Sequence, residues 1–322
     1  MEMAVVEPFM IKSSINLGAD DVLELTAKSG ESFMIKDVIV DGSNDDYVLL
    51  EIDKTTVGFF RVSGHVLGSH LPSTIAYVPG GQTYRGFFTG GSISLISYLV
   101  RKGYMEGYPV AEGQTFRVKP YTTGKKLSRV MIIYEKYDAG DIKADMVNGS
   151  EASEYIFVNY GRPSENLTTG GDYEVSQCVT TKEFPDFPYG ANVPSKTQIE
   201  ILGILGSECI NYSASDTYTY TKYLKMFKGR TCLFDNDKNG LPFYMWAFSG
   251  ISAGTHFGRG FSVIGNYTEK DRREPFTPPT PLVFKEGDEV KVYITAGKAT
   301  NAGSIDTEYA EIAFIERVKV AE

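Results

Sequence analysis

Pro109-Val-Ala-Glu-Gly-Gln-Thr-Phe-Arg-Val118 and Leu282-Val-Phe-Lys-Glu-Gly-Asp-Glu-Val-Lys-Val292 are the two stretches whose reading decides the fold. Each has a short apolar run, a Glu-Gly turn and then a strand in which apolar and polar residues alternate. Glycine supplies the positive φ that a tight turn needs, and an alternation of period two marks a strand with one buried face. Two further segments recur in the same order. Met34-Ile-Lys-Asp-Val-Ile-Val-Asp-Gly-Ser43 resembles Gln198-Ile-Glu-Ile-Leu-Gly-Ile-Leu-Gly-Ser207, an apolar strand running into a Gly-Ser turn. Val130-Met-Ile-Ile-Tyr-Glu-Lys136 pairs with Glu311-Ile-Ala-Phe-Ile-Glu-Arg317, an apolar strand closing on an acid and a base. The offset between partners grows along the chain from 164 to 174 to 181 residues, as loop insertions in a second copy would produce. One match would be chance; three in order point to a duplication.

The rest of the sequence carries the same texture. Phe33 to Val40, Tyr47 to Ile52, Val57 to Val62, Thr83 to Phe88, Thr115 to Pro120 and Arg129 to Tyr137 read as strands separated by Gly- and Asp-rich turns. Turns spaced about 8–15 residues apart belong to sandwiches and barrels. Ser92 to Lys102 fits a helix or a strand equally well. With 322 residues, the chain is long enough for two cores, and 21 Tyr, 19 Phe and 33 Gly favour strands and turns over helices. The expectation is an all-β chain of two tandem eight-stranded jelly-roll β-sandwiches, the first over residues 1–145 and the second, with longer loops, over 146–322. The join falls between Asp138 and Ser153, where Asp-Ala-Gly-Asp and Asn-Gly-Ser interrupt the apolar pattern. Pro275, Pro278, Pro279 and Pro281 form an extended connector in the second half.

Charge and composition exclude several functions. A net charge of −9 argues against a surface that neutralises phosphates, so no direct nucleic-acid partner is expected. The opening Met-Glu-Met-Ala-Val-Val-Glu-Pro lacks the basic start of a secretory signal, and no apolar run approaches the roughly 18 residues of a membrane span. Cys178, Cys209 and Cys232 are odd in number and lack CxxC spacing, which fits buried free thiols.

The chain offers few candidates for chemistry. His65 and His70 do not have the His-x-His spacing of a cupin metal site, and His256 is remote from both. No nucleophile elbow, phosphate loop or acid–base carboxylate pair occurs, so the chain is not expected to be an enzyme and no cofactor is implied. Asp235, Asp237 and Asn239 stand at the first, third and fifth positions of a calcium loop, with Gly240 at the sixth. Trp246 occupies the place of the twelfth-position Glu, so the segment reads as an Asx-rich hairpin turn, with a structural calcium as the alternative. Asn148, Asn166, Asn211 and Asn266 begin glycosylation acceptor patterns that matter only in a glycosylating host. Tyr218-Thr-Tyr-Thr-Lys-Tyr223 suits either sugar stacking or cross-strand packing.

The length, the duplicated strand starts at Glu112-Gly113 and Glu286-Gly287, and the paired closing strands ending at Lys136 and Arg317 resemble the double jelly-roll major capsid proteins of tailless icosahedral viruses, the lineage that includes the adenovirus hexon. The likeness covers nearly the whole chain and is one of pattern rather than of a diagnostic motif. It implies a structural subunit whose homotrimers, pseudo-hexameric in outline, contact neighbouring capsomers and minor capsid or penton proteins. It also implies a virion location after assembly in the host cytoplasm. That family places a basic or amphipathic terminus on an inner membrane; the acidic start here argues against membrane contact. The alternative is a carbohydrate- or receptor-binding β-sandwich protein, a spike or adhesin, with its site in the Tyr-rich loops and the calcium turn.

Overall fold

The computed structural model describes residues 5–41, 47–61, 95–121, 127–142, 152–178, 187–206, 209–214, 217–234, 240–242, 254–257, 266–267, 273–274, 276–298, 303–310 and 312–321. Strands dominate them, so the chain is all-β, as its composition implied. It divides into two compact units, one of Met1–Val78, Arg85–Phe157 and Val318–Glu322, the other of Pro79–Tyr84 and Val158–Arg317.

The first unit contains β1 (Val5–Leu17), β2 (Leu23–Thr26), β3 (Glu31–Asp41), β4 (Tyr47–Ile52) and β5 (Thr55–Arg61), then the helix α1 (Leu95–Arg101), then β6 (Tyr108–Val110), β7 (Thr115–Tyr121) and β8 (Leu127–Asp138). The expected strand Thr83 to Phe88 lies outside the described residues. The open stretch Ser92 to Lys102 resolves as α1, which turns Ile96, Tyr98 and Leu99 into the core. One sheet has the order β1-β8-β3-β6, and a second run of strands has the order β2-β7-β4-β5.

The pairings explain the sequence pattern. In β7, Phe116 and Val118 are buried while Arg117 and Lys119 point away, reaching Glu24 and Glu51 on the flanking strands. In β8, Val130 and Ile132 are buried beside Val40 and Val38 of β3. Two apolar faces made this way close one core, and Tyr108 of β6 lies 6.0 Å from Phe116 of β7 across it. Burying such faces against one another is what makes layered β architectures stable. The outer edge of β5 is covered by Ile156 and Phe157, which pair in parallel with Gly58 and Phe59.

The second unit holds most of β9 (Ala152–Pro163), then β10 (Gly171–Gln177), β11 (Thr197–Gly206), β12 (Cys209–Ala214), β13 (Thr217–Lys228), β14 (Thr231–Cys232) and β15 (Leu241–Pro242). It continues through β16 (Gly254–Phe257), β17 (Asn266–Tyr267), β18 (Arg273–Glu274), β19 (Leu282–Lys285), β20 (Val290–Lys298) and most of β21 (Ile312–Ala321). β21 stands between β9 and β11, and β11 also takes β19. β20 stands between β10 and β13, and the far side of β13 carries β12, β14 and β15. β10 passes from β20, through Gly171–Glu174, to β9, through Val175–Gln177, so the two layers are joined at that edge. The core combines Ile199 and Ile201 of β11 with Leu224 and Met226 of β13, Val292 and Ile294 of β20, and Ile315 of β21.

Candidate functional site

The Glu-Gly turns read from the sequence are one half of a corner that occurs twice. In the first unit, Gly113 N–H donates to the Ala27 carbonyl at 2.8 Å and Ala27 N–H donates to the Gln114 carbonyl at 3.0 Å. In the second, Gly287 N–H donates to the Val193 carbonyl at 2.9 Å and Val193 N–H donates to the Asp288 carbonyl at 3.0 Å. The turns themselves close alike, Gln114 N–H on Ala111 and Asp288 N–H on Lys285, and the facing turns do so too, Glu31 N–H on Lys28 and Thr197 N–H on Pro194. The glutamate of each pair then reaches across. Glu112 accepts from Gly30 N–H at 3.1 Å and Glu286 accepts from Lys196 N–H at 3.0 Å. Gly30 and Lys196 both have positive φ, +87° and +57°, which is what aims their amides at the carboxylate. The Lys196 amide, with Ser195, holds the Glu286 carboxyl below its ordinary range.

A second constellation sits inside the second unit. Glu316 of β21 has no exposed surface, and its Oε2 accepts from Asn159 Nδ2 of β9 at 2.8 Å. The same Nδ2 donates to the Phe187 carbonyl at 2.7 Å, and Asn159 Oδ1 accepts from Gln177 Nε2 of β10 at 3.2 Å. Glu316 Oε1 is buried without a hydrogen-bond partner. Burial pushes the Glu316 carboxyl well above the usual carboxylate range, against the pull of the Asn159 hydrogen bond. The sequence reading took this residue only as the acid that closes a strand.

The third feature is a surface. Ile11, Ser13 and Ile15 of β1 pair with Ile133, Met131 and Arg129 of β8, which pair in turn with Asp37, Ile39 and Asp41 of β3. Strand alternation puts this set on the face opposite the buried Val130, Ile132, Val38 and Val40. Ile11 is 49% exposed, Ile15 65% and nearby Phe9 62%. In the second unit the corresponding strand β21 is buried on both faces from Ile312 to Glu316, with the Tyr189 ring 5.7 Å from Phe314.

The calcium-turn residues Asp235, Asp237 and Asn239 lie outside the described residues, as do His65 and His70. Gly240, the sixth position, has a φ of +91°. Among the described residues, no three His, Cys, Asp or Glu side chains gather as a metal site, and no helix is long and apolar enough to cross a membrane. Within the Tyr-rich run, Tyr220 lies over Gly297 of β20, where a Cβ would come within 2.4 Å of its ring, so this tyrosine is spent on cross-strand packing. Cys178 and Cys232 are half-buried and in no disulfide. Compared with known proteins, the chain matches no family model and no curated relative.

Proposed function

We propose that this chain is a structural shell subunit, a double jelly-roll major capsid protein that associates as a homotrimer and tiles an icosahedral shell. One observation carries the reading: the strand order of the first unit. β1, β3, β6 and β8 form one sheet in the order β1-β8-β3-β6, while β2, β4, β5 and β7 follow the order β2-β7-β4-β5. That order supports the winding of a jelly roll, two Greek keys in which the chain alternates between layers. The second unit supports a repeat of it, since β9-β21-β11-β19 matches the first sheet position for position and β10-β20-β13 begins the second. The twin Glu-Gly corners fall at the same places in both.

Two like units per chain give a trimer six similar sides, which suits a tile in a near-hexagonal lattice. A tile also needs faces that its neighbours cover. The exposed row of Ile11 and Ile15 beside Met131 and Ile133 is a face of that kind, and its occupant in this reading is another copy of the chain. No catalytic step is assigned to the protein.

The test is the state of the purified chain in solution, by light scattering and by electron microscopy. A trimer of six-lobed outline, or closed shells, is expected. The double variant Ile11→Lys/Ile15→Lys should keep the wild type's far-ultraviolet circular dichroism, because both side chains are exposed in the isolated chain, and should lose self-association. A wild-type chain that stays monomeric at tens of micromolar, with no assembled particles, would overturn the reading.

A further inference from the structure

Glu316 presents a problem that packing alone does not solve. A fully buried carboxyl normally collects several hydrogen bonds or a cation, whereas this one has a single bond, from Asn159, and a second oxygen with none. The same Asn159 side chain holds the chain segment that begins at Phe187. Its Nδ2 binds the Phe187 carbonyl, the Asn159 main-chain carbonyl accepts from the Tyr189 hydroxyl at 3.1 Å, and the Phe187 ring, fully buried, rests 4.9 Å from Phe284. At its other end the segment is tied into the Glu286-Gly287 corner through Val193, and Gly190 N–H reaches the Val290 carbonyl at 3.3 Å. Asn159 is therefore a clasp between β9, β21 and residues 187–190, and Glu316 is the group that the clasp grips.

We propose that Glu316 is a pH-sensitive latch: protonated, it keeps the segment from Phe187 to Val193 closed over β9 and β21, and on losing its proton it lets that segment open. The neutral acid fits the apolar floor made by Phe314 and Ile312 beside it on β21. The carboxylate does not fit it, because no cation among the described residues faces it. On β21, the neighbouring Arg317 is bound to Glu200 of β11 at 2.8 Å. Lys319 pairs with Glu154 of β9. On β10 the facing group is the neutral Gln177, and on the covering segment it is the Tyr189 phenol, which already donates to a backbone carbonyl. Opening brings water to the carboxylate, so ionisation and opening favour each other. Because the closed-state affinity for the proton is raised, closure is complete in acid. It weakens as pH rises past the ordinary value of 4.5 and stops weakening once the closed state also ionises. The latch is independent of the shell-subunit reading, since it concerns the second unit alone.

Hydrogen exchange on the full chain from pH 5 to 9, read by mass spectrometry, tests it. After division by the intrinsic exchange rate at each pH, protection of a peptide spanning residues 187–193 should fall by up to about tenfold per pH unit, as one proton released on opening requires. The Ala27–Gly30 corner of the first unit should hold constant over the same range. Glu316→Gln, which cannot ionise, should remove the pH dependence from the 187–193 peptide. Equal protection at every pH in the wild type, an identical fall in the Ala27–Gly30 peptide, or an unchanged slope in Glu316→Gln would each overturn the proposal. The first two comparisons need no variant, so they stand even where Glu316→Gln folds poorly.

Discussion

Alanine at Gly113 and at Gly287 isolates what a turn costs when nothing else changes. Both glycines sit in the left-handed region, at φ +83° and +80°, and a Cβ added at either meets nothing within 4 Å. The substitution therefore adds no clash and removes no hydrogen bond; it only places an L side chain where it is disfavoured. That strain costs about 1–2 kcal/mol. Against it stands a gain of about 0.4–1 kcal/mol from the lower freedom of alanine in the unfolded chain. The net expectation is a loss of about 1 kcal/mol for each variant, the same at both corners, and about 2 kcal/mol for the double variant because the sites share no partner. Gly107 provides the contrast: at φ +144° its Cβ would lie 2.4 Å from the Ile35 carbonyl oxygen, a backbone atom that cannot step aside cheaply. Gly107→Ala should cost more than either corner. Urea unfolding at pH 7, followed by far-ultraviolet circular dichroism with the slopes compared, measures all four. Neutral substitution at either corner, or a Gly107 variant as stable as the corner variants, would refute the reasoning.

Other outcomes follow from single side chains. The Tyr108 hydroxyl is fully buried without a hydrogen-bond partner, so Tyr108→Phe should raise stability by about 1–2 kcal/mol, by removing a desolvated group that gains nothing. A loss of that size in urea unfolding would mean that the hydroxyl is engaged after all. Burial also pushes the Tyr108 phenol up, so its ultraviolet titration should be missing from the range where exposed tyrosines ionise. At the acid end, the Lys228 hydrogen bond and the Lys285 amide hold the Asp288 carboxyl below its usual range, and Lys136 does the same for Glu31. Their stabilisation is present above the ordinary carboxylate range and is lost as pH falls through the lowered values. Lys228→Met should flatten that acid limb in melting curves taken from pH 6 to 2, and a limb of unchanged steepness would contradict the assignment.

The sequence was legible where local chemistry decides the outcome. Gly113 and Gly287 announce their turns because few other residues tolerate that φ, and Phe116 and Val118 announce β7 by alternation. Half of each corner stayed hidden, because the partners lie 82 and 90 residues away and Ala-Lys-Ser-Gly shares only its serine with Val-Pro-Ser-Lys. The first matched segment was read two positions out of register: the corner aligns Glu31 with Thr197, whereas the sequence paired Met34 with Gln198. β3 has a bulge between Ile35 and Asp37, which similarity of apolar residues cannot locate. β1 escaped notice altogether. Its hydrophobic residues face water and its Pro8 reads as a break, yet proline is at home on the edge strand that β1 is. Glu316 escaped because its counterpart Glu135 behaves as the pattern suggests, half-buried and 3.1 Å from Lys36. The Asn159 amide that binds Glu316 also holds the Phe187 carbonyl, more than a hundred residues earlier in the chain than the glutamate.

The comparison between corners bears on how such a fold is maintained. Six hydrogen bonds recur between the two, and four of them run from backbone to backbone. Two side chains take part in each corner: the glutamate, which binds an amide that every residue except proline possesses, and Gln114 or Asp288, which accepts from the Ala111 amide at 2.9 Å or the Lys285 amide at 2.8 Å. Lys196 can therefore stand where Gly30 stands, at the expense of a modest strain in φ, without loosening the bond to Glu286. Gln114 and Asp288 differ in charge and length, yet each closes its turn through the same side-chain acceptor. A corner built mostly from main-chain groups constrains sequence at few points, foremost the acid and the glycine after it, and that Glu-Gly pair is the part of the corner that the sequence shows twice. The open faces behave in the opposite way. Ile133 and Phe314 occupy like positions, but one is half-buried beside the exposed Ile11 and the other packs against Tyr189, so each is free to follow whatever covers it. Similarity between the halves should accordingly be greatest where the chain binds its own backbone and least on the surfaces that differ in what covers them.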